Sequence, residues 1–295
     1  MITEEIKNDG EDRSMGREEN VKIFNDTEKL CKSNERLKES LNKSREKQYF
    51  LAEDAKMEEV KKNIYEKPCK VKVSKKRTLE AASAYKGKKI CVLNFASATN
   101  PGGGVTRGST AQEECICRVT GLYFCLNTRE MWDNFYTPHR NDANPIHNDD
   151  IIYTPAVTVF KSDIASPQLM KENDWYNVNV ITCAAPNLRA KPANAFNSGD
   201  GNKAIKVTDK ELLAIHEKRL RRILDVAVAE GNEIVILGAF GCGAFENNPN
   251  VVATAAKHVI EEYRHAFAGI EFAVYCRLGD DENYRTFERM FGTQR

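Results

Sequence analysis

The chain has 295 residues, enough for one large domain or a domain with an appendage, and 41% apolar content supplies a core. With 44 basic and 43 acidic residues the net charge is +1, so composition gives no electrostatic case for a nucleic-acid or acidic-membrane partner. No run approaches the ~18 apolar residues of a membrane-crossing helix, and the first residues lack the parts of a signal peptide. Cys91, Cys183 and Cys276 lie inside apolar runs, and nine cysteines is an odd count. Buried thiols in a reducing compartment follow, hence a soluble intracellular protein, cytoplasmic or nuclear. A monomer is expected.

Composition shifts near residue 85. Before it charge is dense and glycine scarce, which fits helix or disorder. Residues 1–18 read as a disordered tail and 19–85 as a charged helical extension, leaving 86–295 as the main domain. Phe24, Leu30, Leu37 and Leu41 sit at loose helical intervals between Val21 and Leu51. The basic run Lys61–Thr78 reads as a solvated face or linker, because Tyr65 is its one stacking aromatic.

From Lys88 strands alternate with helices. Ile90–Phe95 is a continuous apolar strand, as expected where both faces are buried. Thr110 to about Asn134 predicts a helix, with Thr110 and Glu113 as a capping box. Ile151–Phe160 and Asn177–Ala184 read as strands. A second capping box, Thr208 to Glu211, opens a helix through Leu212, Ile215, Leu220, Leu224 and Val228 that stops at Gly231. Strand Ile234–Gly238, helix Val251–Ala266, strand Ile270–Cys276 and helix Asp281–Phe291 complete the chain. The alternation predicts an α/β fold, a three-layer α/β/α sandwich on a mixed sheet, with the helical N-terminal extension beside it.

Ligands of such sheets gather beyond the carboxyl ends of the strands. Three junctions there are rich in small and polar residues: Asn94–Gln112, Cys183–Asn187 and Gly238–Pro249. Glycines let backbone N–H groups approach a phosphate or ribose closely, and a following helix start adds partial positive charge. Glu113 and Glu114, a few residues past Gly102, Gly103 and Gly104, supply acid/base chemistry at the same mouth. A nucleotide-triphosphate loop is excluded, because Gly108 is followed directly by Ser109 with no lysine between. Neither glycine loop forms the dinucleotide pattern G-x-G-x-x-G with an acidic residue at the right distance.

Gly102-Gly103-Gly104, seven residues, then Gln112-Glu113-Glu114 resembles the signature of poly(ADP-ribose) glycohydrolases, which are macrodomain enzymes. Asn94-Phe95-Ala96, Ala185-Pro186-Asn187 and Gly241-Cys242-Gly243-Ala244-Phe245 are similar to flanking motifs of the microbial-type branch. The resemblance spans roughly residues 20–295 and is strongest from about 90 to 250. It implies a macrodomain-like sheet holding ADP-ribose and cleavage of the ribose–ribose O-glycosidic bond between polymer units, without metal or cofactor. By the same resemblance Glu114 is the acid/base and Glu113 binds ribose hydroxyls. Gly102 to Gly104 with Gly241, Cys242, Gly243 and Ala244 hold the diphosphate, Phe245 packs on the distal ribose, and Gln112 and Asn100 join the substrate-binding set. Ser97 departs from the pattern, in which an asparagine precedes the glycines. ADP-ribose polymer or ADP-ribosylated proteins are the implied partners. Two rivals are a hydrolase of single ADP-ribose units and a reader that binds without cutting, which has no use for a second carboxylate. Cleavage mainly from polymer ends is a further implication.

Glu113 is needed for the capping box, whereas Glu114 points about 100° further round the helix and is not. A helix start favours the Glu114 anion by roughly 0.3–1 kcal/mol. Each charge of Glu113 or of a bound diphosphate, at ~7 Å and an effective dielectric of ~20, opposes it by about 2.4 kcal/mol. Substrate is therefore expected to raise the pKa of Glu114. Cys115, Cys117 and Cys125 lack zinc-ligand spacing and read as core thiols. His139 and His147 flank Arg140–Asp150, which reads as a surface loop. Cys242 has no identifiable base and reads as a packing residue.

Overall fold

The computed structural model describes residues 16–194, 199–277 and 279–292. It opens with two helices, α1 (Arg17–Ser33) and α2 (Glu35–Lys47), separated by Asn34, whose side chain caps α2 by accepting from the Leu37 N–H. Asn20, Phe24, Thr27 and Cys31 form the buried stripe of α1, at the three- and four-residue steps of a helix face. The segment read as helical to Leu51 ends instead in a short strand, β1 (Tyr49–Leu51). Residues 1–15 of the expected tail lie outside the described residues, while Arg17 and Glu18 are already helical.

The basic run contains a second strand, β2 (Lys70–Ser74), and is not simply a solvated linker. Helix α3 (Thr78–Ala82) leads to β3 (Ile90–Phe95). Next come α4 (Gln112–Val119) and α5 (Leu122–Leu126), then α6 (Arg129–Met131) and α7 (Thr137–Asp142), joined by a π turn. The predicted long helix from Thr110 is broken because Thr120 turns extended: its hydroxyl bonds the Ile116 carbonyl and its backbone bridges to Val159. Strands β4 (Ile151–Val159) and β5 (Tyr176–Cys183) precede α8 (Asp209–Ala229), where the Thr208–Glu211 capping box forms as predicted. Strand β6 (Ile234–Leu237), α9 (Pro249–Tyr263), β7 (Gly269–Ala273) and α10 (Glu282–Phe291) finish the fold.

These strands make one seven-stranded sheet in the order β1-β4-β5-β3-β6-β7-β2. Neighbours from β5 through β2 are parallel; β4 runs against β5 and β1 against β4. Alternation along β3 explains the layering: Cys91 and Leu93 pack with α8 and α9, while Ile90 and Val92 pack with α3, α4 and Phe24 of α1. Each such fully buried aliphatic side chain contributes roughly 1.5–3 kcal/mol relative to exposure, so a short, wholly buried strand such as β6 is stable in the middle. The compositional shift near residue 85 is no border of the sheet, because β1 and β2 form its two edges. Parallel pairing brings the carboxyl ends of β5, β3, β6 and β7 to one side, and both glycine loops leave from it. Among the described residues no helix is long and apolar enough to cross a membrane.

Candidate active site

Beyond β3 the chain folds through two consecutive left-handed residues, Gly102 (φ +63°) and Gly103 (φ +57°). A Cβ on Gly103 would stand 2.5 Å from Glu114 Oε1 and 3.2 Å from Glu113 Oε2, so only glycine lets the backbone lie on both carboxyl groups. The Gly104 N–H donates to Glu114 Oε1 at 2.8 Å, and the Gly103 N–H donates to the Asn100 carbonyl at 3.0 Å. Glu113 accepts from the Ser97 N–H at 2.8 Å and from Asn94 Nδ2 at 3.2 Å, and it also bonds the Gly102 backbone. Hence the triple glycine, read from sequence as a phosphate cradle, directs N–H groups inward and binds the two carboxyl groups.

The capping box predicted at Thr110 and Glu113 is absent. Ala111 is the N-cap of α4 without a side-chain bond, because the Glu113 side chain turns down to Ser97 and Asn94. Both glutamates are buried, at 2% and 6% exposure, although they occupy the first turn of a helix. Burial raises the pKa of each; for Glu113 the adjacent Glu114 charge adds to the rise, and for Glu114 the Gly104 N–H opposes it. The lift at Glu114 thus exists before any ligand arrives. Its Oε2 is buried with no hydrogen-bond partner in the protein. An orphaned acceptor of this kind costs free energy unless it is protonated or meets a substrate group.

Gln112 is placed differently from the sequence expectation. Its Oε1 accepts from the Phe95 N–H at 2.9 Å, while Nε2 donates to the Leu93 carbonyl at 2.7 Å and to Thr78 Oγ1 at 2.9 Å. With both amide hydrogens engaged it is a strut between α4 and β3 and leaves the substrate-binding set. Asn100 is half-buried, with Nδ2 on Thr99 Oγ1 at 3.2 Å and Oδ1 on Arg140 Nη2 at 2.5 Å. Ser97, the departure from the family pattern, accepts from the Asn100 N–H at 3.1 Å and so holds that residue in place.

The loop after β6 lies against the first. Phe95 and Phe240 meet at a tilt with centroids 5.5 Å apart, and a Cβ on Gly241 (φ +80°) would meet Ala185 Cβ at 2.7 Å. Its shape is set by Asn247, whose Nδ2 donates to the carbonyls of Pro186, Gly241 and Phe245. Asn247 Oδ1 accepts from His216 Nε2 at 2.8 Å, and burial lowers the His216 pKa to about 4, so the imidazole is neutral. The N–H groups of Gly243, Ala244 and Phe245 have no partner among the described residues. Gly243 and Ala244 are exposed, Cys242 and Phe245 half-buried. Burial pushes the Cys242 thiol up, which opposes a nucleophilic role.

Asn247, His216 and Arg140 carry no local signal of a role in the sequence, and Ser97 stands out there only as a departure from the resembled pattern. Asn94 carried a signal, being a polar residue inside an apolar strand, and it is fully buried. Arg140–Asp150 does not form the expected surface loop throughout: His139 and His147 are buried, and Arg140 grips Asn100. Cys115, Cys117 and Cys125 are buried free thiols as read. No group of three or more His, Cys, Asp or Glu side chains among the described residues is placed to hold a metal ion.

The family described as microbial-type PARG, catalytic domain, matches residues 17–162. The chain is similar to the crystal structure of poly(ADP-ribose) glycohydrolase from Thermomonospora curvata: 25% identity, TM-score 0.78, covering 93% of this chain and 100% of that one. The structure of the Thermomonospora curvata glycohydrolase bound to the inhibitor ADP-HPD gives 26% identity and a TM-score of 0.77 over the same shares. Against the glycohydrolase from Deinococcus radiodurans in complex with ADP-ribose, identity is 28% and TM-score 0.68, covering 85% of this chain and 96% of that one. No protein with a curated description matches.

Proposed function

The chain belongs to the microbial-type poly(ADP-ribose) glycohydrolase family, and we propose from that premise that it hydrolyses the ribose–ribose O-glycosidic bonds of ADP-ribose polymer. The observation that supports this reading most is the buried, unpartnered Oε2 of Glu114, one residue from a second buried carboxyl group. A binding module has no use for that arrangement; an acid catalyst does. The diphosphate rests on the free N–H groups of Gly243, Ala244 and Phe245, and the Phe245 ring packs on the distal ribose.

Glu114, whose burial favours the protonated carboxyl, donates its proton to the ribose oxygen that leaves as the distal C1–O bond breaks. Positive charge then spreads over C1 and the ring oxygen, close to the diphosphate. The Glu114 carboxylate takes a proton from water as the water oxygen bonds C1, which releases ADP-ribose and restores the acid. Glu113, fixed by Asn94 and Ser97, accepts from the ribose hydroxyls and holds the sugar beneath Glu114.

Single-unit ADP-ribosyl substrates use similar chemistry, so the test offers both. Acceptor protein carrying polymer and acceptor carrying single units are incubated with the enzyme in parallel, and free ADP-ribose is quantified. Release from polymer with little from single units is expected. Release from single units only would overturn the assignment, and binding without release would make the protein a reader.

A further inference from the structure

We infer that Asp200 is a positioning residue for the ribose end of this site, joining the wall that holds Asn100 to the wall that holds Phe245. The inference rests on the glycohydrolase reading above. Asp200 is 1% exposed. Its Oδ1 accepts from Thr99 Oγ1 at 3.1 Å, its Oδ2 accepts from Asn187 Nδ2 at 2.7 Å, and His147 Nε2 lies 3.5 Å from Oδ2. These partners come from three loops: Thr99 follows β3, Asn187 follows β5, and His147 precedes β4.

Each partner leads to a proposed ribose contact. Thr99 adjoins Asn100, and Arg140 clamps both, through Nε to the Thr99 carbonyl at 2.7 Å and Nη2 to Asn100 Oδ1 at 2.5 Å. Asn187 Oδ1 accepts from Arg189 Nε at 3.0 Å, and that guanidinium lies 5.6 Å from the centre of the Phe245 ring. The Leu188 N–H donates to the Phe245 carbonyl at 2.9 Å, and the His147 ring is centred 6.1 Å from that of Phe245. One buried carboxylate is therefore shared by both walls around the ribose. Burial works against its charge, but His147, Asn187 and Thr99 outweigh that and hold the carboxyl below its ordinary pKa.

The backbone is shaped for this contact. A Cβ on Gly199 would stand 2.6 Å from Thr99 Cβ and 2.7 Å from Arg140 Cγ. Gly201 is left-handed (φ +73°), and a Cβ there would meet the Ala143 carbonyl oxygen at 2.5 Å. Glycines on either side of Asp200 let the turn lie flat on the loops it bonds. The diphosphate loop has a second brace that does not pass through Asp200, since Asn247 donates to the carbonyls of Gly241 and Phe245. Loss of Asp200 should therefore misplace the ribose against Glu114 and leave the diphosphate bound.

The test compares Asp200→Ala, Asp200→Asn and Gly199→Ala with wild type for kcat and KM on polymer, ADP-ribose Kd by calorimetry, and Tm. For Asp200→Ala we expect kcat to fall about 10- to 100-fold, with ADP-ribose Kd within about threefold of wild type. Asp200→Asn keeps the shape and one acceptor oxygen, and its loss should be smaller. If Asp200→Ala does not fold, Gly199→Ala carries the test, since it displaces the turn with the carboxylate intact. A folded variant with kcat within about twofold of wild type, or with Kd weakened in step with kcat, overturns the inference. Wild-type protein that releases no ADP-ribose from polymer overturns the glycohydrolase reading itself.

Discussion

The loop after β3 and the loop after β6 both leave buried parallel strands and both are rich in glycine, yet they direct their backbone donors oppositely. In the first, Gly103 and Gly104 donate inward, to the Asn100 carbonyl and to Glu114, and the glycines are required because carboxyl oxygens lie within 3.2 Å of where a Cβ would stand on Gly103. In the second, Gly243 has nothing within 4 Å of its would-be Cβ, and the N–H groups from Gly243 to Phe245 remain open. Gly103 in the first loop makes room for side chains of the protein, whereas Gly243 in the second stands clear of them. On the proposed glycohydrolase reading, the difference separates holding the acid from holding the anion.

Four substitutions and one pH profile can break or sharpen that contrast. The largest effect is expected for Glu114→Gln, which removes the transferable proton: polymer hydrolysis falls by roughly 10²–10⁴-fold while ADP-ribose Kd changes little. Near wild-type turnover in a folded Glu114→Gln protein would end the acid/base assignment. Gly103→Ala should rank next. A left-handed alanine costs about 1–2 kcal/mol, and its Cβ meets Glu114 Oε1 at 2.5 Å, so activity should collapse with a lowered Tm. Retained activity would show that the loop does not hold the carboxyl group in the working enzyme.

Asn247→Ala probes the other side. It removes bonds to three carbonyls and strands His216, a cost of about 2–4 kcal/mol. ADP-ribose affinity should fall more than kcat, and the reverse ordering would place the diphosphate elsewhere. A pH profile of stability tests burial of the glutamates. Their folded pKa values are raised, Glu113 to about 8, so the native state holds protons that the unfolded state releases above the ordinary carboxylate value of roughly 4.3. Stability should be lost as pH rises through that window. The Tm difference between Glu114→Gln and wild type should be smallest near the ordinary carboxylate value and should grow as pH rises above it. A constant difference would mean that the carboxyl group is solvated. The smallest effect belongs to Gly243→Ala, with stability within about 0.5 kcal/mol of wild type. A large loss there would mean that the loop packs against other protein atoms at Gly243.

Much of this architecture is legible in the residues. Ile90–Phe95 and Ile234–Leu237 are continuous apolar runs, as strands covered on both faces must be, and Thr208 with Glu211 marks a helix start by local bonding. Local rules failed where a distant partner offered a better bond. Glu113 forgoes the capping box for Asn94 and Ser97, and Gln112 turns to β3. Lys70–Ser74 becomes a strand because β7 supplies a parallel edge, which no count of lysines reveals.

By itself the sequence determined the alternation of strands and helices, the two glycine loops and the adjacent glutamates, because periodicity and φ-permissive residues are local properties. Tertiary structure alone decided which N–H groups face the carboxyl groups and which stay open. It also decided that Glu114 is buried and that Asp200 gathers three loops. Hydrogen bonding and desolvation depend on atoms brought together from far along the chain, and their direction is set only when the sheet places those atoms within about 3 Å of one another.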